Sequence, residues 1–306
     1  MISVLTALVP IAIILGLGKL LSALNLITAQ GWLGLERITY FVLFPALIVG
    51  KLASADFSDL NLNMPLALVG AQITLGGLSI ALGFLLKQPR DRIGVYVQSA
   101  VRWNTFIALA LAQALMGPPG VALVVVAAAA MIPTANILSV SGLLSFSKEP
   151  VVLTDMLRQL ATNPLVIACV IGLALNLLQI DLPQSAARSL DLLAQATIAT
   201  GLLTTGAAIE IARRSASILS LFGWSLLRLF GLTFLAGLFA IALGVSDTVL
   251  LAILIATAVP TASNGTILAR QLGADAGLAA NLIACQTVLS LATISTVLRI
   301  AQLIST

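Results

Sequence analysis

Long runs of apolar residues alternate with short polar or turn-rich breaks along the whole chain. The runs are about 20 residues long, which is the length of α-helix that crosses about 30 Å of hydrocarbon. This pattern predicts an all-α membrane protein with ten transmembrane helices, which we number as spans one to ten. The breaks between the spans fall at residues 25–32, 56–63, 87–91, 117–120, 147–151, 181–185, 213–217, 244–247 and 273–276.

The composition also indicates a membrane protein. Hydrophobic residues make up 60% of the 306 residues, charged residues make up 8%, and the mean hydropathy is +1.13. Soluble domains contain roughly 45–50% apolar and about 25% charged residues. We therefore expect one polytopic membrane domain over residues 1–306, in which span one is a retained helix and not a cleaved signal peptide.

The basic residues predict the orientation of the chain. With the N-terminus outside, the inner loops and their flanks carry Lys19, Arg37, Lys87, Arg90, Arg92, Lys148, Arg158, Arg213, Arg214 and Arg270, and the outer side carries Lys51, Arg188 and Arg299. Cytoplasmic loops are enriched in lysine and arginine. We therefore expect both termini on the outer, periplasmic side of a bacterial inner membrane. The net charge of +4 is then a topology signal, and no nucleic-acid partner is expected.

The two halves of the chain resemble each other. The best match places residues 105–117 over residues 261–273, an offset of 156, and Pro10 matches Pro164 with an offset of 154. Repeat one is expected at about residues 1–150 and repeat two at about residues 151–306. Because each half has an odd number of spans, the second half enters the membrane from the opposite side. This predicts two five-helix inverted repeats, an architecture typical of secondary transporters.

Span nine contains the clearest interruption of a predicted helix. Residues 260–264 read PTASN at its centre, where the proline removes a backbone donor and the polar side chains can bind the freed groups. Residues 102–105 of span four, which read RWNT, occupy the matching position in repeat one. We therefore predict that spans four and nine are broken near the membrane midplane, cross there and line a substrate site.

Two arginines lie within predicted spans. Arg102 follows Arg92 by about ten residues, which places it roughly 15 Å deep in the membrane. Because no Asp or Glu occupies the middle of any span, we infer that its missing partner is an anionic substrate. Arg228 has a similar depth and is a possible second cation near the site. Alternatively, either arginine caps backbone carbonyls at a helix break.

The candidate substrate-binding residues are polar or helix-breaking residues near the two breaks, together with one amide in span five. They are Arg102, Asn104, Thr105, Asn136, Pro260, Thr261, Ser263 and Asn264. For Asn136 and for Gln72, hydrogen bonding between helices is the alternative role. The chain has no histidine and no catalytic or metal-binding motif, so we expect no enzyme activity, no cofactor and no metal.

Four motifs resemble the auxin efflux carrier family over nearly the whole chain: RWNTFIALA at 102–110, PTAN at 133–136, TNPL at 162–165 and PTASN at 260–264. This family includes bacterial malate and malonate permease candidates and, more distantly, the plant PIN auxin exporters. The resemblance implies two five-span inverted repeats, with a scaffold of spans one, two, six and seven and a transport domain of the remaining spans. It also implies that an elevator-like movement carries a carboxylate-bearing substrate bound where spans four and nine cross.

Two features depart from the family pattern. Many members have a proline after the asparagine of span four, where this chain reads ALAL at residues 108–111. The long cytoplasmic loop of the plant exporters is also absent between the two halves. We therefore expect a compact carrier for an organic anion other than auxin.

The predicted function is that of a secondary transporter, or permease, for a small organic anion. One alternative is a sodium-coupled organic-anion symporter of the bile-acid type, although the acidic residues that would bind sodium are lacking. A channel is the second alternative. The absence of a mid-span carboxylate or histidine favours uniport driven by the membrane potential and the anion gradient. The expected partners are the substrate, the lipid bilayer and, as in related folds, a second copy of the chain in a homodimer.

Overall fold

The computed structural model describes residues 4–55, 62–146, 161–210, 212 and 216–304. Every regular element within these residues is a helix. The segments that are long and apolar enough to cross a membrane are Thr6–Ala23, Ala29–Ala53, Asn63–Leu85, Arg90–Ser145, Ile218–Ala242 and Ala276–Arg299. Pro164–Leu177 and Asp247–Ala258 are shorter apolar helices. The chain is therefore an all-helical, multi-pass membrane protein, as the apolar runs predict.

The helices are numbered in chain order. The first half contains α1 (Val4–Ala23), α2 (Ala29–Ile38), α3 (Phe44–Ala53), α4 (Asn63–Leu85), α5 (Arg90–Val101) and α6 (Thr105–Ser145). The second half contains α7 (Pro164–Leu177), α8 (Gln184–Ala207), α9 (Ile218–Leu226), α10 (Leu232–Ala242), α11 (Asp247–Ala258), α12 (Gly265–Gln271) and α13 (Ala276–Ile304). Two π-helical turns, Thr39–Leu43 and Leu227–Gly231, join α2 to α3 and α9 to α10.

Several predicted breaks coincide with loops, but the break at residues 117–120 is a kink inside α6. Gly117 has φ 67° and ψ −158°, a conformation that favours glycine, and Pro118 and Pro119 follow it. The predicted breaks at 56–63, 147–151 and 213–217 lie largely outside the described residues. The same is true of four basic residues used to predict the orientation, which are Lys148, Arg158, Arg213 and Arg214.

The described residues with positive φ fall into pairs, and the two members of each pair are 154 to 157 positions apart in the sequence. The pairs are Asn25 with Gln179, 154 positions apart, Lys87 with Gly244, 157 apart, and Gly117 with Gly273, 156 apart. The helices α5 and α11 follow the same spacing, since each has 12 residues and their first residues are 157 positions apart. Corresponding positions in the two halves therefore share a positive φ, and two corresponding helices share their length.

The helices pack as two groups. The panel group consists of α1, α2, α3, α7 and α8, in which α1 packs on α8 and α3 packs on both α7 and α8. The core group consists of α4, α5, α6 and α9 to α13, in which α4 packs on α5, α6 and α10. Contacts between the groups include those of α6 with α1, α3, α7 and α8, and that of α13 with α1.

Glycine allows close approach between helices of the panel group. A Cβ atom at Gly18 of α1 would overlap the carbonyl of Leu203 in α8. A Cβ at Gly172 of α7 would lie 3.3 Å from the Cα of Val49 in α3. Gly18 in the first half corresponds to Gly172 in the second half, 154 positions later, and Val49 corresponds to Leu203 with the same offset. The contact of α1 with α8 is therefore equivalent to the contact of α7 with α3. Small residues at such crossings are typical of membrane helix packing.

Candidate functional site

The helical chain is interrupted at two places that meet in space. Residues 102–104 separate α5 from α6, and residues 259–264 separate α11 from α12. The residue that follows each helix has the same extended backbone conformation. Arg102 after α5 has φ −76° and ψ 156°, and Val259 after α11 has φ −73° and ψ 156°. The backbone N–H of Asn104 donates to the carbonyl of Pro260 at 2.8 Å. Both breaks fall where the sequence predicts them, and this hydrogen bond joins them directly.

Arg228 caps the helix ends at this crossing. Its Nε donates to the carbonyl of Arg102 at 3.0 Å, and its Nη1 donates to the carbonyl of Thr257 in the last turn of α11 at 2.8 Å. The side chain is fully buried, and it projects from the π-helical turn Leu227–Gly231. The structure therefore places this predicted second cation behind the crossing, where it neutralises the negative ends of α5 and α11.

Three buried glutamines bind further backbone groups at or beside the breaks. Gln72 donates to the carbonyl of Val101 at 2.9 Å, and Gln98 donates to the carbonyl of Gly265 at 2.9 Å. Gln286 accepts a hydrogen bond from the backbone N–H of Thr261 at 2.9 Å. Unpaired backbone groups are costly inside a membrane, so these side chains stabilise the irregular segments. The role of Gln98 was missed from the sequence because the pattern does not show which helix end it faces.

A cavity of about 90 Å³ lies between the panel group and the core group. On the panel side it is lined by Glu36, Thr39, Tyr40, Phe44, Leu165 and Thr204. On the core side it is lined by Arg102, Trp103, Asn104, Thr105, Phe106, Ile132, Ala135, Asn136, Ala262, Ser263 and Asn264. The cavity therefore joins both helix breaks to helices of the panel group.

Arg102 is held in this cavity by two amides. Its Nη1 donates to Oδ1 of Asn136 at 3.2 Å, and its Nη2 donates to Oδ1 of Asn264 at 2.9 Å. Its Nε is buried without a hydrogen-bond partner in the described part of the chain. The ion pairs found among the described residues are Lys51 with Asp191 and Arg92 with Asp275, so neither neutralises Arg102. The guanidinium is therefore positioned by neutral groups and keeps its charge available.

Asn104 connects the crossing to both helix groups. Its Oδ1 accepts from the backbone N–H groups of Phe106 and Ile107 at 3.1 and 3.2 Å, which caps the N-terminus of α6. Its Nδ2 donates to Oγ1 of Thr205 in α8 at 3.3 Å. This side chain therefore fixes the start of α6 and also contacts the panel group.

The structure brings most of the predicted site residues together. The cavity lining includes Arg102, Asn104, Thr105, Asn136, Ser263 and Asn264. Pro260 and Thr261 are absent from this lining and hold the crossing through their backbone groups. Among the described residues, no cluster of three or more His, Cys, Asp or Glu side chains that could hold a metal ion was found.

The panel side of the cavity was missed from the sequence. The sequence places Glu36 near one end of its span, where it indicates no role, but this residue lines the same cavity as Arg102. Glu36, Thr39 and Tyr40 are spaced i, i+3 and i+4, which places them on one face of a helix. This polar face in an otherwise apolar span was the signal that could have identified them.

The helical fold and a polar cavity at two broken helices define a membrane transport protein. A family model described as membrane transport protein matches residues 3–298, so the chain belongs to that family. This match confirms the resemblance to the auxin efflux carriers. Members of the family are transporters and not enzymes. A search of curated proteins found no match.

Proposed function

We propose that the protein is a secondary transporter built from two inverted repeats of five spans each. The paired positive-φ residues, the equal lengths of α5 and α11, and the equivalent glycine contacts in the panel group support this architecture. All of these pairs have offsets of 154 to 157 residues, close to half of the 306-residue chain. In this arrangement α5 with the first part of α6 is span four, and α11 with α12 is span nine.

The proposed substrate is a small organic anion that carries a carboxylate. The observation that carries this proposal is the guanidinium of Arg102, which lies in the cavity between two amides and has no acidic partner among the described residues. A charged group in the membrane normally has an opposite charge nearby. A substrate carboxylate would supply that charge and could form the paired hydrogen bonds that arginine makes with carboxylates.

The proposed mechanism is an elevator-like movement of the core group against the panel group. The cavity lies between these groups, so a substrate bound to Arg102 would move with the core group while the panel group stays in place. With both termini outside, α2 begins and α8 ends on the cytoplasmic side, and the cavity is lined by Glu36 and Thr204 near those ends. We therefore assign the structure to an inward-facing state in a bacterial inner membrane.

Arg228 favours this carrier over the sodium-coupled symporter. Sodium binds carbonyl and carboxylate oxygens, which are the kind of ligands that broken helices expose. Here the carbonyls of Arg102 and Thr257 accept hydrogen bonds from the fixed guanidinium of Arg228. A positive side chain in this position would repel a second cation. We therefore propose uniport of the anion without sodium. The proposed assembly is a homodimer.

The proposal is tested with purified protein in liposomes by recording currents evoked by malate, malonate, succinate, indole acetate and a bile acid. We expect at least one carboxylate to evoke a current that Arg102→Ala abolishes. Arg188→Ala is the matched control, because Arg188 is exposed and lies outside the cavity lining. Both variants should be monodisperse and reconstituted to equal amounts. A wild-type protein that transports neither these anions nor 4-hydroxybutyrate, or an Arg102→Ala variant with unchanged currents, would contradict the proposal.

The proposed orientation is tested separately with single cysteines in a background without Cys169 and Cys285. Gln88→Cys lies in the loop between α4 and α5, and Ser185→Cys lies at the start of α8. We expect a membrane-impermeant thiol reagent to label Ser185→Cys, and not Gln88→Cys, from the outside of intact cells. The reverse labelling pattern would place both termini in the cytoplasm.

A further inference from the structure

The cavity contains one negative side chain as well as one positive side chain. Among the lining residues, Arg102 is the basic residue and Glu36 is the acidic residue. Glu36 is half-buried in α2 and forms no ion pair with a lysine or arginine in the described parts of the chain. The two charges belong to different groups of helices, since Arg102 lies on the core side and Glu36 on the panel side.

Tyr40 shows how the two charges are arranged. It lines the cavity and is close enough to Arg102 for an electrostatic interaction between its hydroxyl and the guanidinium. Glu36 precedes Tyr40 by four positions, so it lies about one helical turn, roughly 5 Å, further along the same face. A molecule that fills this cavity would therefore contact Tyr40 and Glu36 as well as Arg102.

We propose that Glu36 is a specificity-determining residue that selects a monocarboxylate with a hydrogen-bond-donating or cationic group at its other end, and rejects a dicarboxylate. This inference rests on the proposed function, because it assumes that Arg102 binds the first carboxylate. A second carboxylate would face the negative charge of Glu36, and unfavourable like-charge contacts of this kind are a common source of specificity. A hydroxyl or ammonium group at the same position would donate a hydrogen bond to Glu36.

The test uses three four-carbon probes that differ at one end: succinate, 4-hydroxybutyrate and 4-aminobutyrate. Radiolabelled flux into liposomes is measured, because 4-aminobutyrate has no net charge and evokes no current of its own. We expect wild-type protein to transport 4-hydroxybutyrate or 4-aminobutyrate in preference to succinate. Glu36→Gln should raise the succinate flux relative to the other two probes by roughly tenfold or more, because the repulsion is removed. Glu210→Gln is the matched control, since Glu210 is exposed and lies outside the cavity lining.

The outcomes separate this inference from the proposed function. If Glu36→Gln leaves the ratio of succinate to 4-aminobutyrate flux unchanged while Arg102→Ala abolishes carboxylate flux, the selectivity role is wrong and the proposed function stands. A wild-type preference for succinate overturns the selectivity role without the need for any variant, so the test does not depend on the folding of Glu36→Gln. If wild-type protein transports no carboxylate in either assay, both proposals fail.

Discussion

The backbone N–H of Asn104 donates to the carbonyl of Pro260 at 2.8 Å, which joins two unwound segments from opposite halves of the chain. Unpaired backbone groups are costly in a membrane, and this hydrogen bond pairs a donor of one segment with an acceptor of the other. Arg102 precedes Asn104 by two residues and projects from the same segment into the cavity. The position of the candidate anion-binding arginine is therefore set by the crossing of the two broken helices.

Replacing Asn264 with aspartate should weaken substrate binding. Oδ1 of Asn264 already accepts a hydrogen bond from Nη2 of Arg102, so Asn264→Asp would give this arginine a permanent carboxylate partner. That partner would compete with the substrate, and we expect the KM for a transported carboxylate to rise by about tenfold or more. The concentration dependence of flux measures this change. Asn25→Asp, at an exposed position outside the cavity lining, should leave the KM unchanged. Equal KM values for Asn264→Asp and wild type would argue against substrate binding at Arg102.

Replacing Arg228 with methionine should destabilise the protein. The substitution removes both charged donors from the carbonyls of Arg102 and Thr257, and each unpaired buried acceptor costs about 1–3 kcal/mol. We expect the melting temperature of the variant in detergent, measured by tryptophan fluorescence, to fall clearly below that of wild type. Arg188→Met removes an exposed arginine and should change the melting temperature little. An Arg228→Met variant as stable as wild type would mean that the capping of these carbonyls is dispensable.

Glycine at position 18 should be required for the packing of α1 on α8. A Cβ at Gly18 would overlap the carbonyl of Leu203, so Gly18→Ala must push the helices apart, at a cost of about 1–3 kcal/mol. Gly16→Ala in the same helix is the matched control, because no atom of another described helix lies within 4 Å of the Cβ position at Gly16. We expect Gly18→Ala alone to lower the melting temperature. If the two variants melt alike, the close approach of α1 and α8 is wrong.

Transport should not depend on sodium. The positive charge of Arg228 already lies against the carbonyls at the crossing, where a coupling cation would otherwise find ligands. Initial rates of carboxylate flux are measured in liposomes with sodium replaced by potassium or by N-methyl-D-glucamine at constant ionic strength. We expect equal rates in all three media at a fixed membrane potential. A rate that falls as sodium is removed would support the sodium-coupled symporter instead.

The sequence was sufficient to predict the membrane-spanning class and the positions of both helix breaks. The breaks were predictable because polar residues and Pro260 interrupt long apolar runs, and such local interruptions are visible in the pattern. For Arg228 the alternative role, capping of backbone carbonyls, is the one that the structure shows, but its particular partners were not predictable from the sequence. They are backbone carbonyls from two distant helices, and only the crossing of those helices brings them within reach of one side chain.

The two sides of the cavity differed in how well they could be predicted. Arg102, Asn104 and Asn264 were identified because polar residues stand out at the centre of an apolar run. Glu36 lies near the start of its span, where charged residues are common, so its position alone did not suggest a functional role. Its place in the cavity depends on the packing of α2 beside the crossing, which is a tertiary feature.

The most direct test of the account is an experimental structure of the protein with the carboxylate that gives the largest flux. We predict density for the substrate in the cavity, with a carboxylate oxygen within hydrogen-bonding distance of the guanidinium of Arg102. The carboxylate would accept hydrogen bonds from nitrogens that now contact Asn136 and Asn264 or, in the case of Nε, have no partner among the described residues. Substrate density at another place, with Arg102 still bound only to the two amides, would contradict the central claim.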